Sequence, residues 1–316
     1  ATRAAILETL LRRGYIHRVE RELRPTPQGR ALIEALPVEE LRSARLTGQW
    51  EARLAAMAEG EGGRDNFMQD LRAFTAMLVG RILGANLSAG GLSVTGGLQL
   101  VSDSTFTLTG APVTVAADIS GAGALTKSGS ANLTLTGANT YTGSTTVAQG
   151  TLTVSSPVDS TVFNVNAGTL SLTATNLLPD SATATVAGGA TLNVAAAERI
   201  QQLTLAGAIT GAGTLTANTY ALDGATVSAN LGTGTLTSSG ASTLNNTVGA
   251  TSVTVTAGTL TLPVAERLAN TATVTVQAGA TLSLTGAGAD ETVADLHLAG
   301  TLAGAGTLIA TDTTQL

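Results

Sequence analysis

Hydrophobic residues follow two different periods along this chain of 316 residues. Near the start they recur at the spacing of one helix face, as Ile6, Leu7, Leu10 and Leu11 do. Later, short runs such as "TVFNV" and "SVTVT" alternate apolar and polar residues and are separated by Gly, Asn or Ala-Gly. The pattern predicts a small, mainly helical domain over residues 1–83 and a long β region over residues 84–316.

The helical domain begins with a helix, a charged hairpin and a second helix. Gly14 supplies the left-handed residue that commonly ends a helix, and "YIHRVERELRP" then gives two short strand candidates. Thr26 can accept hydrogen bonds from the free amides of the next helix, whose first turn suits Pro27. That helix has an apolar face of Leu32, Ile33 and Leu36. This order is typical of a winged-helix element.

Two further helices are expected in the same domain. Thr47 would cap a helix that carries Trp50, Leu54 and Met57, and Asp65 would cap one that carries Phe67, Leu71, Phe74 and Leu78. We expect the four aromatic side chains of the domain to pack in its core: Tyr15, Trp50, Phe67 and Phe74.

The β region repeats itself at a period near 90 residues. "GAGALT" begins at residue 121, "GAGTLT" at 211 and "GAGTLI" at 304, while "AGTLSL" at 167 returns as "AGTLTL" at 257. Many short strands with small residues at repeated corners favour a right-handed parallel β-helix, with Leu and Val inside and Thr outside. At about 20 residues a coil, the region would form roughly 11 coils and a rod on the order of 50 Å. The predicted fold class is therefore mainly β, a right-handed parallel β-helix that follows a small α-helical, winged-helix-like domain.

Charge and cysteine content separate the two parts and exclude some chemistry. Residues 1–83 hold 13 Arg against 11 acidic residues, and residues 84–316 hold 3 basic against 11 acidic residues. The sequence contains no Cys, which excludes disulfides, thiolate zinc sites and a Cys nucleophile. No run of about 18 apolar residues predicts a membrane-spanning helix. Because the sequence starts without Met or a signal-peptide pattern, we expect a fragment of a longer protein.

The helical domain resembles a known enzyme family. "ATRAAILETLLRRGYI", "LRPTPQGRALIEALP" and "LTGQWEARLAAMAEGEGGRDNFMQDL" follow one another as in the C-terminal part of the core of type IA DNA topoisomerases, of the topoisomerase III kind. The resemblance implies that the nucleophilic Tyr and the acidic magnesium-binding cluster lie upstream of these segments, so Tyr15 is not the nucleophile. We expect no catalytic residue and no cofactor in this chain, and magnesium only where the upstream core is present.

Residual DNA contact is a separate expectation. The resemblance places Thr2 and Arg3 near the bound strand, and Arg12 and Arg13 follow on the same helix. Arginine forks suit phosphate oxygens, but a net charge of +2 on residues 1–83 would support only weak, salt-sensitive binding. The alternative is that these arginines form a solvated helix face.

The β region resembles the passenger of bacterial autotransporters. Residues 131–152, "ANLTLTGANTYTGSTTVAQGTL", match the repeat "L-x-G-x-N-T-Y-T-G-x-T-x-V-x-x-G-T-L" of those proteins. The matching positions are Leu135, Gly137, Asn139, Thr140, Tyr141, Thr142, Gly143, Thr145, Val147, Gly150, Thr151 and Leu152. The resemblance implies a structural role in secretion and in stacking of the β-helix, at the bacterial surface or outside the cell.

Few residues of the β region suggest chemistry. Asp290, Glu291 and Asp295 form an acidic cluster that could belong to a glycosidase or lyase, but solvated decoration on a loop is favoured. His297 has no Cys and no second His nearby in the sequence, so we expect no metal site.

Threonine pairs raise the alternative of ladders that bind ice or another ordered surface. Thr183 with Thr185 and Thr273 with Thr275 are examples, but their irregular spacing favours ordinary solvated strand residues.

Two functions remain open. In the first, the chain is a non-catalytic structural or adhesin-type β-helix passenger, joined to a truncated topoisomerase III-like DNA-binding fragment. Its partners would be a host or cell-surface ligand for the β-helix and weakly bound DNA for the helical domain. In the second, it is the C-terminal portion of a cytoplasmic type IA topoisomerase that carries a β-helical appendage. The sequence favours the first, because 233 of the 316 residues belong to the β region.

Overall fold

A computed structural model describes residues 3–19, 22–27, 29–30, 33, 44–59, 64, 67–71, 74, 93–94, 97–286 and 288–312. The chain folds into two compact units, Ala1–Ala85 and Asn86–Leu316, called units 1 and 2 below. None of the helices among these described residues has the length and apolar character needed to span a membrane.

Unit 1 contains the predicted helix and hairpin at its start. Helix α1 spans Arg3–Arg12, and strands β1 (Ile16–Val19) and β2 (Glu22–Pro25) pair in antiparallel fashion. Gly14 has a φ of 71°, as its place after a helix requires. Thr26 caps the next helical residues, because its Oγ1 accepts the N–H of Gly29 at 3.1 Å. These sequence-based predictions are confirmed.

The second described helix of unit 1 begins earlier than predicted. Helix α2 spans Ala44–Ala58, so Thr47 lies within it and does not cap it. The prediction was wrong because Ala44, Arg45 and Leu46 all have high helix propensity and extend the helix by one turn. Ile33, expected on an apolar face, is 48% exposed. Leu32, Leu36, Asp65 and Leu78 fall outside the described residues, and the winged helix stays a prediction.

Aromatic side chains pack together in unit 1. The rings of Trp50 and Phe74 meet edge to face with centroids 5.2 Å apart. Arg53 lies over the ring of Phe67 at 5.3 Å and pairs with Asp70 at 2.7 Å. All three aromatic side chains are half-buried, as is Tyr15. The Trp50–Phe74 pair and the Arg53–Phe67 contact are therefore both partly open to solvent.

Unit 2 is a parallel β-helix of about 11 turns. Its strands, numbered in chain order, form two long parallel sheets and a third face. Sheet 1 contains β5 (Ser104–Thr107), β8 (Leu125–Ser128), β10 (Thr145–Val147), β12 (Val162–Val165), β14 (Thr183–Val186), β16 (Glu198–Leu205), β18 (Thr214–Asp223), β20 (Asn230–Leu231), β21 (Thr235–Ser239), β23 (Ser252–Val255), β25 (Thr273–Val276) and β28 (Asp295–Leu298).

Sheet 2 stacks in the same way. It contains β3 (Ser93–Val94), β6 (Val113–Val115), β9 (Leu133–Leu135), β11 (Thr151–Val154), β13 (Thr169–Leu172), β15 (Thr191–Val194), β17 (Ala208–Thr210), β19 (Thr226–Val227), β22 (Ala241–Leu244), β24 (Thr259–Leu262), β26 (Thr281–Leu284) and β29 (Thr301–Gly304). The third face consists of β4 (Leu98–Leu100), β7 (Ile119–Gly121), β27 (Glu291–Val293), β30 (Leu308–Ala310) and single bridges such as Ile119 to Asn139 and Val248 to Leu268.

Alternation along each strand creates the core. In β11, Leu152 and Val154 are fully buried while Thr151 and Thr153 are half-buried, and most strands share this pattern. Leu, Val and Ala from successive coils therefore form apolar stacks inside the β-helix, with threonine outside, as predicted. Each coil buries its apolar edge only against its neighbours, so the unit depends on uninterrupted stacking.

Coil length varies, but the strands of successive coils still pair in register. Tyr220 pairs with Leu236, 16 residues on, whereas Leu170 pairs with Leu192, 22 residues on. The longer coil returns where Leu260 pairs with Leu282, also 22 residues on, and five strand steps of sheet 2 separate β13 from β24. The 90-residue sequence period is thus a block of five coils.

Candidate interaction surface and buried polar sites

Outward-facing residues of sheet 1 stack into a continuous row. We call it the sheet-1 rank, and its members pair directly from coil to coil: Thr105, Thr126, Thr146, Asn164, Thr185, Thr204, Ala221, Thr237, Thr254, Thr275 and His297. All of them are exposed or half-buried. Since neighbouring strands lie about 4.8 Å apart, the rank presents a nearly regular series of hydroxyl and methyl groups.

Sheet 2 carries a second row of the same kind. The sheet-2 rank contains Thr151, Thr169, Thr191, Ala208, Thr226, Thr243, Thr261, Ser283 and Ala303. Neither rank includes Asp, Glu, Lys or Arg. Two rows that consist mainly of threonine and contain no Asp, Glu, Lys or Arg therefore run along the described part of the β-helix, although Ser283 of the sheet-2 rank is buried and charged residues such as Arg199 and Asp223 lie elsewhere in the strands of sheet 1.

Strand pairing shows how the threonine pairs considered in the sequence are stacked. Thr183 lies between Val162 and Gln202, and Thr273 lies between Ser252 and Asp295, so neither pair stacks on a further Thr-x-Thr pair. Only one residue of each pair, Thr185 or Thr275, belongs to the sheet-1 rank. The corners absorb the differences in coil length, so irregular spacing in sequence leaves the sheets regular. Strand pairing was the missing information, and the alternation of Thr with Leu or Val was its only signal in the sequence.

The passenger-like repeat runs through one coil and into the start of the next. Its residues Leu135, Asn139, Tyr141, Thr145, Val147 and Leu152 are at most 1% exposed. Gly137 has no room for a side chain, because a Cβ there would lie 2.3 Å from the carbonyl oxygen of Ala117. Thr140 and Thr142 are exposed, Gly143 and Thr151 are half-buried, and Gly150 adopts a φ of 73°. The motif thus determines which side chains pack inside the coil and how closely the coil approaches its neighbour at Gly137.

Polar groups of the motif are buried with few partners. The Tyr141 hydroxyl and Thr145 Oγ1 lie 2.7 Å apart in a hydrogen bond, and burial raises the pKa of Tyr141 to about 12. Asn139 donates from Nδ2 to the carbonyl of Gly137 at 2.8 Å. Its Oδ1 is buried without a hydrogen bond to any described residue. Both hydrogen bonds join residues at most four positions apart, so they stabilise the local conformation of the repeat within its own coil.

Two buried carboxylates close equivalent corners of the five-coil block. Glu198 accepts the N–H groups of Leu177 at 2.8 Å and Leu178 at 3.2 Å. Each corner starts with a non-glycine residue at positive φ, Asn176 at 51° in the first and Glu266 at 55° in the second. Successive N–H groups after such a residue form a concave anion site.

The second corner repeats this arrangement. Glu291 accepts the N–H groups of Arg267 at 2.6 Å and Leu268 at 3.0 Å. Burial raises the pKa of both Glu198 and Glu291, although the backbone N–H donors oppose the shift. Each acid ties a corner of one coil to the next.

The acidic cluster predicted near residue 290 does not form one site. Glu291 is fully buried, so the expectation of solvated decoration was wrong for it; the two amides explain its burial. Asp290 accepts the N–H of Thr307 at 2.7 Å. Asp295 instead lies 3.1 Å from Nε2 of His297. Among the described residues, no three His, Asp or Glu side chains come together as metal ligands would.

The candidate DNA contacts of unit 1 lie along α1. Arg3 begins the helix, Arg12 ends it, and Arg13 follows; the side chains of Arg12 and Arg13 are exposed. Thr2 falls outside the described residues. The DNA-binding role of these residues stays a prediction.

Geometry thus defines a parallel β-solenoid whose two threonine-rich ranks carry no charge, and comparisons with known proteins add a family likeness. Residues 125–154 match the family model described as passenger-associated-transport-repeat. The matched residues span β8 to β11 and include the whole repeat that the sequence had indicated. The resemblance of this segment to autotransporter passengers is confirmed.

Unit 1 is similar to a different family. Residues 1–69 match the model described as DNA topoisomerase. DNA topoisomerase 3 of Vibrio cholerae is 40% identical over 82 residues, which are 26% of this chain and 12% of that protein. DNA topoisomerase 3 of Bacillus thuringiensis is 35% identical over 82 residues, 26% of this chain and 11% of that protein. The chain thus spans only about an eighth of these relatives. No solved structure matches it significantly.

Proposed function

We propose that the β-helix of unit 2 has a structural, adhesin-type role, in which its outer faces attach to a host or cell-surface ligand. The sheet-1 and sheet-2 ranks carry this proposal, because they repeat one chemistry from coil to coil without charge. A threonine face costs less to desolvate than a charged face, and its β-branched side chains are already restricted in χ1. Repetition also allows many weak contacts to act together.

Adhesion can be tested with beads coated with the full chain and applied to cultured epithelial cells or bacteria. The test variant replaces three members of the sheet-1 rank, Thr185→Lys, Thr237→Lys and Thr254→Lys. The expected result is a loss of most bead attachment, because charge then interrupts the face.

A matched control adds the same charge away from the ranks. Asn132→Lys, Ala257→Lys and Ala278→Lys alter exposed positions outside the strands and should leave attachment unchanged. Equal attachment by both triple variants, or none by the native chain on either cell type, would overturn the adhesin proposal.

Similarity of unit 1 to topoisomerase 3 favours a second candidate, a C-terminal portion of a type IA topoisomerase that carries a β-helical appendage. In this case unit 1 contributes DNA contact through Arg3, Arg12 and Arg13. DNA strand passage would belong to a protein that also carries the nucleophilic Tyr and the magnesium-binding acids of that family.

DNA contact is tested by fluorescence anisotropy with a single-stranded oligonucleotide at low salt. Arg12→Gln with Arg13→Gln should weaken binding and reduce its salt dependence. Arg24→Gln removes a charge that is already paired with Glu22 at 3.1 Å and serves as the control. Equal affinities of the native chain and the double variant would refute a role for α1.

A further inference from the structure

A buried ammonium group occupies a position of sheet 1 where its neighbours are apolar. Lys127 pairs in register with Phe106 on one side and Val147 on the other. Its side chain is 0% exposed. Lysine is almost never fully buried without a partner, so the surroundings of its Nζ must compensate for the lost hydration.

Three backbone carbonyl groups supply that compensation. Nζ of Lys127 donates to the carbonyl oxygens of Ser128 at 2.9 Å, Gly129 at 2.7 Å and Gln149 at 3.0 Å. An ammonium group has three N–H donors, so all of them are used. No carboxylate within the described part of the chain forms an ion pair with this group. The three carbonyl groups, which we call the carbonyl cage, hold a cation by dipoles alone.

Glycines at the corner make space for the cage. Gly129 and Gly150 adopt left-handed φ angles of 76° and 73° on successive coils. A Cβ on Gly150 would lie 2.5 Å from the carbonyl oxygen of Gly129 and 3.0 Å from Nζ of Lys127. The cage is therefore built by the turns of two stacked coils, and the ammonium group joins them.

The size and charge of the cage indicate which ions it suits. The distances from Nζ to the three carbonyl oxygens exceed the 2.0–2.1 Å at which magnesium holds its oxygen ligands and the roughly 2.3–2.6 Å at which calcium does. Both divalent ions also favour carboxylate ligands, which the cage lacks. Neutral carbonyl oxygens that replace a hydration shell are instead the ligands of potassium in selective channels.

We propose that the carbonyl cage is a monovalent-cation site, filled in this chain by the tethered ammonium of Lys127, and that it binds free ammonium or potassium when this side chain is shortened. The bound cation stabilises the corner between the coils of β8 and β10. Burial lowers the pKa of Lys127, as expected for a cation whose partners carry no net charge.

Thermal unfolding of the full chain tests the proposal with Lys127→Ala. In choline chloride, whose cation is too large for the cage, the unfolding midpoint should fall by on the order of 5–10 °C. Potassium or ammonium chloride at the same ionic strength should recover at least half of that loss. The native chain should show no such preference, because its own ammonium already fills the cage.

Lys127→Met is the matched control. The methionine side chain fills the space but brings no charge. The unfolding midpoint of this variant should therefore be lower than that of the native chain in all salts, and potassium or ammonium should not raise it selectively. If Lys127→Ala does not fold in choline chloride, its refolding yield becomes the measurement, and folded protein should appear in potassium or ammonium chloride. Equal midpoints or yields of Lys127→Ala in all three salts would overturn the proposal, as would recovery shared by Lys127→Met.

Discussion

The buried pair of Tyr141 and Thr145 offers a direct test of why the passenger-like repeat contains a tyrosine. Their oxygen atoms lie 2.7 Å apart, and the two residues are 0% and 1% exposed. Tyr141→Phe keeps the ring in place but leaves Thr145 Oγ1 buried without its partner. An unsatisfied buried hydroxyl costs about 1–3 kcal/mol, so the free energy of unfolding should fall by that amount.

The reverse change, Thr145→Val, should cost a similar amount because it leaves the tyrosine hydroxyl unpaired. Replacing both partners removes donor and acceptor together, which can be nearly neutral. The double variant should therefore lose at least about 1 kcal/mol less than the sum of the two single variants. This difference between the double variant and the sum of the single variants measures the contribution of the hydrogen bond separately from general effects on packing.

Equilibrium unfolding in urea, followed by the β-sheet signal in far-ultraviolet circular dichroism, provides these free energies. Thr146→Val is the control, because Thr146 is half-buried on the outer face and its replacement should change stability by less than about 0.5 kcal/mol. If the losses of the two single variants simply add in the double variant, the hydrogen bond does not stabilise the repeat and the reasoning is refuted.

Two other perturbations address the corners and the close stacking of coils. Burial raises the pKa of Glu198 and Glu291 above 4.5, so the folded state binds more protons than the unfolded state. The stability contribution of each acid is therefore greatest below pH 4.5 and falls as the pH rises through the raised value. Glu198→Gln and Glu291→Gln should weaken this dependence of stability on pH, which urea unfolding midpoints measured across the acidic pH range would show. If the midpoints of the variants change with pH as steeply as those of the native chain, these two acids do not cause the dependence. Gly137→Ala should cost about 1–3 kcal/mol, because its Cβ would meet the carbonyl of Ala117 at 2.3 Å. Gly188→Ala, whose Cβ would meet nothing closer than 4.0 Å, is the control, and equal midpoints would argue against this steric limit.

Alternation in sequence was sufficient to predict the β-helix because each strand obeys the same local rule. Leu152 and Val154 point inward and Thr151 and Thr153 outward, which the string "TLTV" already implies. A helix boundary is harder to predict: Thr47 can cap a helix, yet the residues before it form helix equally well.

Contacts between coils could not be predicted in the same way. The sheet-1 rank depends on which residues pair across corners of unequal length, and sequence spacing does not show this. Glu291 is an ordinary acid in sequence, and only the amides of Arg267 and Leu268 explain its burial. Lys127 also gives no signal of its own, because its partners are backbone carbonyl groups that any residue possesses.

The five-coil block has a consequence for how this β-helix can grow in evolution. Both ends of the block present strands in the same register, and the equivalent corners closed by Glu198 and Glu291 lie one block apart. Tandem duplication of the corresponding 90 residues would therefore insert a complete segment without a new interface, since the copy stacks as its template does. Each such event would lengthen the rod by about 24 Å, so its reach can change by recombination while the faces keep their chemistry.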